Sequence, residues 1–476
     1  MRSFAVVTMM RLATLSILVL VMGGPAPATA TYDDDAGPDA GQIERLLAAL
    51  GAADPLVCEM AVDSRGNQWG WSDRRMPVGV LHDQAAGVRE ARRPFGHSVS
   101  DPQALLLLIA RLGDPNPCVR RIAALLLGSH RDPGTAAQLR QRLRDASPLV
   151  REAATLALGE REDPDAYDDL ARGLRDDAVA VVRMSAWALG ELEDGRALPP
   201  LAAMLDHADA GVRVAAVWAL GNIEDARAIP GVIKRLRDAE AGVREVAADA
   251  LGEIESRAAT PALVDALGDG DRGVRRAAVR ALGEIEDPAA APPLARLLRD
   301  DDEGMRVDVA QALGEIEDPR VVDELARSLA DSSPAVRAAA ASALGEIEDP
   351  RAAPALAKAL TDSDREVRRQ AVGALGELDG LRQAPAPLIA ALGDSDPEIR
   401  SEAASALAEI GDPAAAPALG RALADEVVEV RRQAIKALGE LHGAEVSKLL
   451  VGALGDRDPE VRRVAAEALG EADEEN

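Results

Sequence analysis

Aromatic residues are scarce in this chain: Trp, Tyr and Phe together make up 2% of 476 residues. Apolar residues still reach 47%, so alanine and leucine must carry the packing. Small side chains let helices approach closely and leave little room for a buried ligand cavity. Histidine has five copies and cysteine two, a thin supply for a metal centre. Positive charge is also in deficit, with 54 Lys and Arg against 81 Asp and Glu, a formal net charge of −27. Binding nucleic acid by counterion release needs the opposite sign, so no nucleic-acid partner is expected. An acidic surface instead keeps a chain soluble and favours basic partners or cations. No run of 18 uncharged apolar residues occurs anywhere, so no transmembrane segment is expected after processing.

The first 30 residues read as a signal peptide. Arg2 and Arg11 form a basic start, and Leu12 to Met22 is a mostly apolar run of 11 residues, too short to cross a bilayer. Gly23, Gly24 and Pro25 break it, and Ala28-Thr29-Ala30 fits a cleavage site. The expected cut is after Ala30, which predicts a periplasmic or secreted protein. The mature chain then carries 52 basic and 81 acidic residues. Export makes a disulfide between Cys58 and Cys118 chemically feasible. Two inert buried thiols are the alternative.

What is abundant is a single spacing. Leu-Gly recurs every 31 residues from Leu127-Gly128 through Leu158-Gly159 to Leu375-Gly376. One extra residue precedes Leu407-Ala408, and the period resumes at Leu438-Gly439 and Leu469-Gly470. Self-similarity at this period marks a stacked array. Within one copy, Asp349-Pro350 is a helix N-cap followed by a first-turn proline. Ala353, Leu356, Ala357 and Leu360 recur at three- and four-residue steps, the mark of an apolar helix face. Thr361 to Asp364 is a turn, and Val367, Ala371, Ala374 and Leu375 form the face of a second helix. One hairpin cannot bury its own apolar face, so stacking completes the core. In ten of the turns an Asp also precedes an Arg by six, as in Asp331/Arg337, Asp362/Arg368 and Asp425/Arg431. This ladder reads as structural: the carboxylate suits a helix N-terminus, and the Arg can fork onto the same or the adjacent carboxylate.

The order Asp, Val-Arg, Ala-Leu-Gly-Glu-Ile, Asp-Pro and a proline within the first helix, such as Pro261, Pro354 or Pro417, resembles the HEAT repeat. More narrowly, it resembles the short HEAT-like repeats of phycobilin lyases. The resemblance implies an all-α, right-handed α-solenoid, a HEAT-like superhelix of about twelve 31-residue hairpins after a degenerate N-terminal one. The expected order is signal peptide 1–30, linker and degenerate hairpin 31–63, insertion 64–100, repeat array 101–471 and acidic tail 472–476. Most members of the class are protein-binding scaffolds, which implies a protein or peptide partner. A few are bilin lyases or a di-iron hydroxylase, and an enzyme of this kind is the alternative. The hydroxylase family holds iron with His-Glu pairs at helix ends. Here those ends read Gly-Glu, and none of His82, His97, His130, His207 and His442 precedes Glu. Neither catalytic residues nor a cofactor or metal is therefore expected.

Candidate function lies where copies differ. The position two before each Leu-Gly leucine is expected to face outward from the second helices, on the concave side. It holds Leu125, Leu156, Trp187 and Trp218, then polar or small residues from Asp249 to Glu467. The two tryptophans either fill a half-buried gap or form a platform for a partner, since Trp is enriched in binding hot spots. The insertion 64–100 holds Trp69, Trp71, Phe95 and six arginines. It is either a cap for the exposed end of the stack or a functional loop. The third irregularity is acidic: Glu284-Ile285-Glu286-Asp287 and its copies at 315–318 and 346–349.

Overall fold

In a computed structural model of the chain, the described residues are 38–52, 99–441 and 443–474. They contain helices and turns and no strand. The signal peptide, Cys58, His442 and nearly all of the insertion lie outside them. The architecture is an all-α solenoid of helical hairpins, organised in two compact units, Met1–Ile254 and Glu255–Asn476.

Most first helices begin from a capped turn; Ala386–Ala391 and Ala444–Ala453 have no side-chain cap. In the copy read above, the Asp349 carboxylate accepts from the backbone N–H of Arg351, and Pro350–Ala352 forms a 3₁₀ turn. The α-helix proper is Ala353–Ala359. Pro354 therefore sits in the first turn of that α-helix and not in its middle, where its missing N–H would cost a hydrogen bond. Asp163, Asp194, Asp225, Asp287, Asp318 and Asp412 cap their 3₁₀ turns in the same way. Second helices are longer, as in Val179–Glu191, Arg272–Glu284 and Arg365–Glu377. Within each unit, every second helix packs on the second helices before and after it.

The Leu-Gly pair follows from that stacking. Leu189, Leu282 and Leu344 are fully buried. A Cβ on Gly190 would lie 2.7 Å from the Ala219 Cα, and one on Gly221 would lie 2.8 Å from the Ala250 Cα. Only glycine lets the next second helix come this close.

The junction glutamates have a role the sequence reading missed. Glu162, Glu193 and Glu224 in the first unit, and Glu255, Glu286, Glu317 and Glu348 in the second, all have φ between 50° and 56°. They hold the left-handed position that ends a helix, where glycine is usual. Six of them close the helix end with their N–H groups, as Glu286 does by donating to the Gly283 carbonyl at 2.9 Å. The extra residue before Leu407 is absorbed at this junction. There Gly380 takes the positive φ, and Ala384 N–H donates to the Asp412 carboxylate.

Candidate interaction surfaces

The Asp/Arg ladder is an interface device. Arg337 Nη1 donates to the carbonyl of its own turn residue Asp331 at 2.8 Å. The same guanidinium then forks onto the next repeat's Asp362, at 2.7 Å through Nε and 2.9 Å through Nη2. Arg151/Asp176 and Arg213/Asp238 repeat the fork in the first unit. Arg306/Asp331, Arg368/Asp394, Arg400/Asp425 and Arg431/Asp456 repeat it in the second. The hydrogen bond from Arg337 holds the Asp362 carboxyl below the usual carboxylate range, as Arg400 does for Asp425 and Arg431 for Asp456. In one rung both residue types are replaced. Val182 stands where the Arg belongs, and His207 stands where that Arg would find its Asp. The turn itself is kept: His207 Nδ1 accepts from Asp209 N–H at 3.0 Å, and Arg213 Nη1 donates to the His207 carbonyl at 3.0 Å.

The column expected to face outward does so in only part of the array. Leu125, Leu156 and Trp187 are buried, with Trp187 only 2% exposed, and Trp218 is half-buried. They form no open platform in this structure. The reason is packing: a Cβ on Gly159 would lie 2.5 Å from Cζ3 of Trp187, and one on Gly190 would lie 3.0 Å from Cζ3 of Trp218. The indoles fill the space above the preceding repeat's glycine. The apolar character of the first three slots was itself the sign of burial. In the second unit the equivalent Arg280, Gln311, Ser405, Lys436 and Glu467 are exposed.

Beside this exposed row the space above glycine is taken by carboxylates. Glu315 reaches over Gly283, Glu346 over Gly314 and Glu377 over Gly345. Partial burial, then the neighbouring Glu346 and Glu286, hold the Glu315 carboxyl above its ordinary value. Burial, then Glu346 and Glu348, do the same for Glu377. Among the described residues, no three His, Cys, Asp or Glu side chains stand close enough to hold a metal ion. Cys118 is buried and disulfide-bonded. The chain's one other cysteine is Cys58, which lies outside the described residues. No helix among the described residues is long and apolar enough to cross a membrane.

Stacked hairpins with a capped junction and a forward-reaching Arg define an α-solenoid repeat protein. The family model for HEAT repeats matches residues 105–190, 183–241, 229–308, 295–376, 353–433 and 422–476. The chain belongs to the HEAT-repeat family. Among solved structures it is similar to importin beta at 15% identity, over 92% of this chain and 66% of that one, with a TM-score of 0.52. A structure of Kap95p binding RanGDP is 14% identical over 91% of this chain and 67% of that one, with a TM-score of 0.48. An engineered protein is 23% identical over 78% of this chain and 98% of that one, with a TM-score of 0.36. The likeness to importin beta is one of fold. No curated protein matches the chain.

Proposed function

We propose that this chain is a non-catalytic scaffold for protein–protein interaction, exported to the cell envelope, that receives partners along its second helices. One observation carries the reading. The slot two before each Leu-Gly leucine changes from buried and apolar, at Leu125, Leu156 and Trp187, to exposed and mostly polar, at Arg280, Gln311, Ser405, Lys436 and Glu467. The packing positions around it stay the same, as Leu282, Leu313, Leu407 and Leu438 are fully buried. A rigid frame that presents a row of differing side chains is suited to recognition rather than to one asymmetric reaction centre. HEAT solenoids commonly serve protein–protein interaction, and the amino-terminal signal pattern supports export.

Site-specific photo-crosslinkers at Gln311, Ser405 and Lys436 test the surface in the living cell. Discrete adducts are expected from these positions and not from Ser332, which is exposed in a turn between helices. Adducts from Ser332 alone would move the surface elsewhere. Sequencing of the mature protein tests export, with Thr31 expected as its first residue; a start at Met1 would refute the cut.

A further inference from the structure

A break in the repeat occurs on the first helices of the first unit. The slot held by Arg140 contains Ile109, Ala171, Ala202 and Ile233 in nearby copies, and uncharged small or aliphatic residues in every later one. Arg140 is the one charged residue in that column. It lies on Pro133–Arg142 and lines an open cavity of about 790 Å³ together with Arg142, Arg144, Asp145 and Asp169. Asp169, on the neighbouring helix Tyr167–Gly173, is only 8% exposed. It accepts from Arg140 Nε at 2.9 Å and from Arg172 Nη1 at 2.6 Å. Arg144 Nη2 lies 3.6 Å from the same carboxylate.

One carboxylate thus gathers three guanidinium groups and leaves most of their N–H donors unused among the described residues. At the cavity itself three arginines, Arg140, Arg142 and Arg144, meet two carboxylates, Asp145 and Asp169, while Arg172 holds Asp169 from outside the lining. Asp163 and Asp165 act on Arg140 from farther away and do not line it. The equivalent cavity five repeats later, in the second unit, has the opposite balance. Ala295 replaces Arg140 there, and Asp300, Asp301, Glu324 and Asp331 face three arginines. A basic island on a chain of net charge −27 is a specific departure from its surroundings.

We propose that Arg140, Arg144 and Arg172, gathered by Asp169, form a receptor for an acidic peptide segment of a partner protein. The guanidinium fork matches a carboxylate in two-point contact. Asp169 already holds the groups in place, so little side-chain freedom is lost when a second carboxylate arrives. The net negative charge of the rest of the chain repels an acidic peptide, so background binding is suppressed. The site names a partner's charge and rests on the scaffold reading only for its biological role.

The test is fluorescence anisotropy of a labelled oligoglutamate peptide, with an oligoglutamine peptide as control, on the purified mature protein. The peptide is expected to bind at low salt and the control is not. The variant Arg140→Ala/Arg144→Ala should weaken binding about tenfold or more. It should fold normally, because alanine fills the Arg140 slot in other repeats, and a thermal melt checks this. Arg365→Ala, in the second unit, should leave binding unchanged. Absence of peptide binding, or equal binding by the double variant, would overturn the proposal. Stronger capture by anionic lipid vesicles than by peptide would overturn it in favour of a membrane surface. None of these outcomes alters the crosslinking result at Gln311, Ser405 and Lys436, so the two readings fail separately.

Discussion

Two residue types in this chain work against ordinary preference for opposite reasons. Gly190 lies in a helix, where glycine weakens the backbone, because the Ala219 Cα comes too near for any side chain. Glu286 lies in a left-handed conformation that glycine would adopt freely. The two should respond oppositely to substitution. Gly190→Ala is expected to lose about 1–3 kcal/mol of stability by overpacking. Gly373→Ala, in helix Arg365–Glu377 with nothing near the added carbon, should gain about 0.5–1 kcal/mol. Glu286→Gly should gain a similar amount, about 0.5–1 kcal/mol, by relieving the left-handed conformation. Urea titrations of the variants against the parent check all three signs; a stable Gly190→Ala would show that the contact relaxes.

At the scale of elements, the forks between hairpins tie stability to pH. The Asp362, Asp425 and Asp456 carboxyls sit below their unfolded value because an Arg donates to each. Their contribution is therefore full above about pH 4 and is lost as pH falls through the depressed folded values. Glu315 and Glu377 act the other way. Their carboxyls sit above the unfolded value, so their charging lowers stability as pH rises from about 4 through the folded values. Asp362→Asn should flatten the acid limb of a melting-temperature profile, and Glu346→Gln should flatten the opposing one. An unchanged acid limb in Asp362→Asn would show that the forks contribute nothing. The hairpins, their caps and the Asp/Arg pairing were legible in the sequence, because 31-residue periodicity repeats each signal many times. The direction of the fork was not, since spacing alone does not say which carboxylate an Arg six residues along will meet. Whether Trp187 fills a gap or stands open was left undecided by the sequence for a related reason: helical phase gives the direction of a side chain, but not whether the preceding glycine has left room beneath it. Arg140 carries no periodic signal, because its charge occurs in a single copy and nothing in the repeat reinforces it.

For the whole molecule, the formal charge of −27 opposes compaction by self-repulsion. Raising the salt from about 10 to 200 mM shortens the Debye length from about 30 Å to below 10 Å. The forks are short-range, and Arg337 and Asp362 are only 13% and 15% exposed, so they are less screened. The melting temperature is therefore expected to rise over this range, as followed by circular dichroism. A fall would mean that exposed ion pairs outweigh the net repulsion. The missing rung at Val182 and His207 gives a local test. Val182→Arg with His207→Asp should stabilise the first unit, with either change alone giving less.

The fork has a further consequence for how such a chain can change over generations. Donor and acceptor are 25 residues apart at Arg337 and Asp362, and 26 apart at Arg368 and Asp394, where the surplus residue is taken up around Gly380. Apart from the repeats that hold Val182 and His207, a repeat carries both halves of the coupling, one offered forward and one received from behind. Loss or gain of one full period by unequal recombination would rejoin matching halves with no new interface to evolve. The array is in this sense modular and polar, and its length can drift while its joints remain the same.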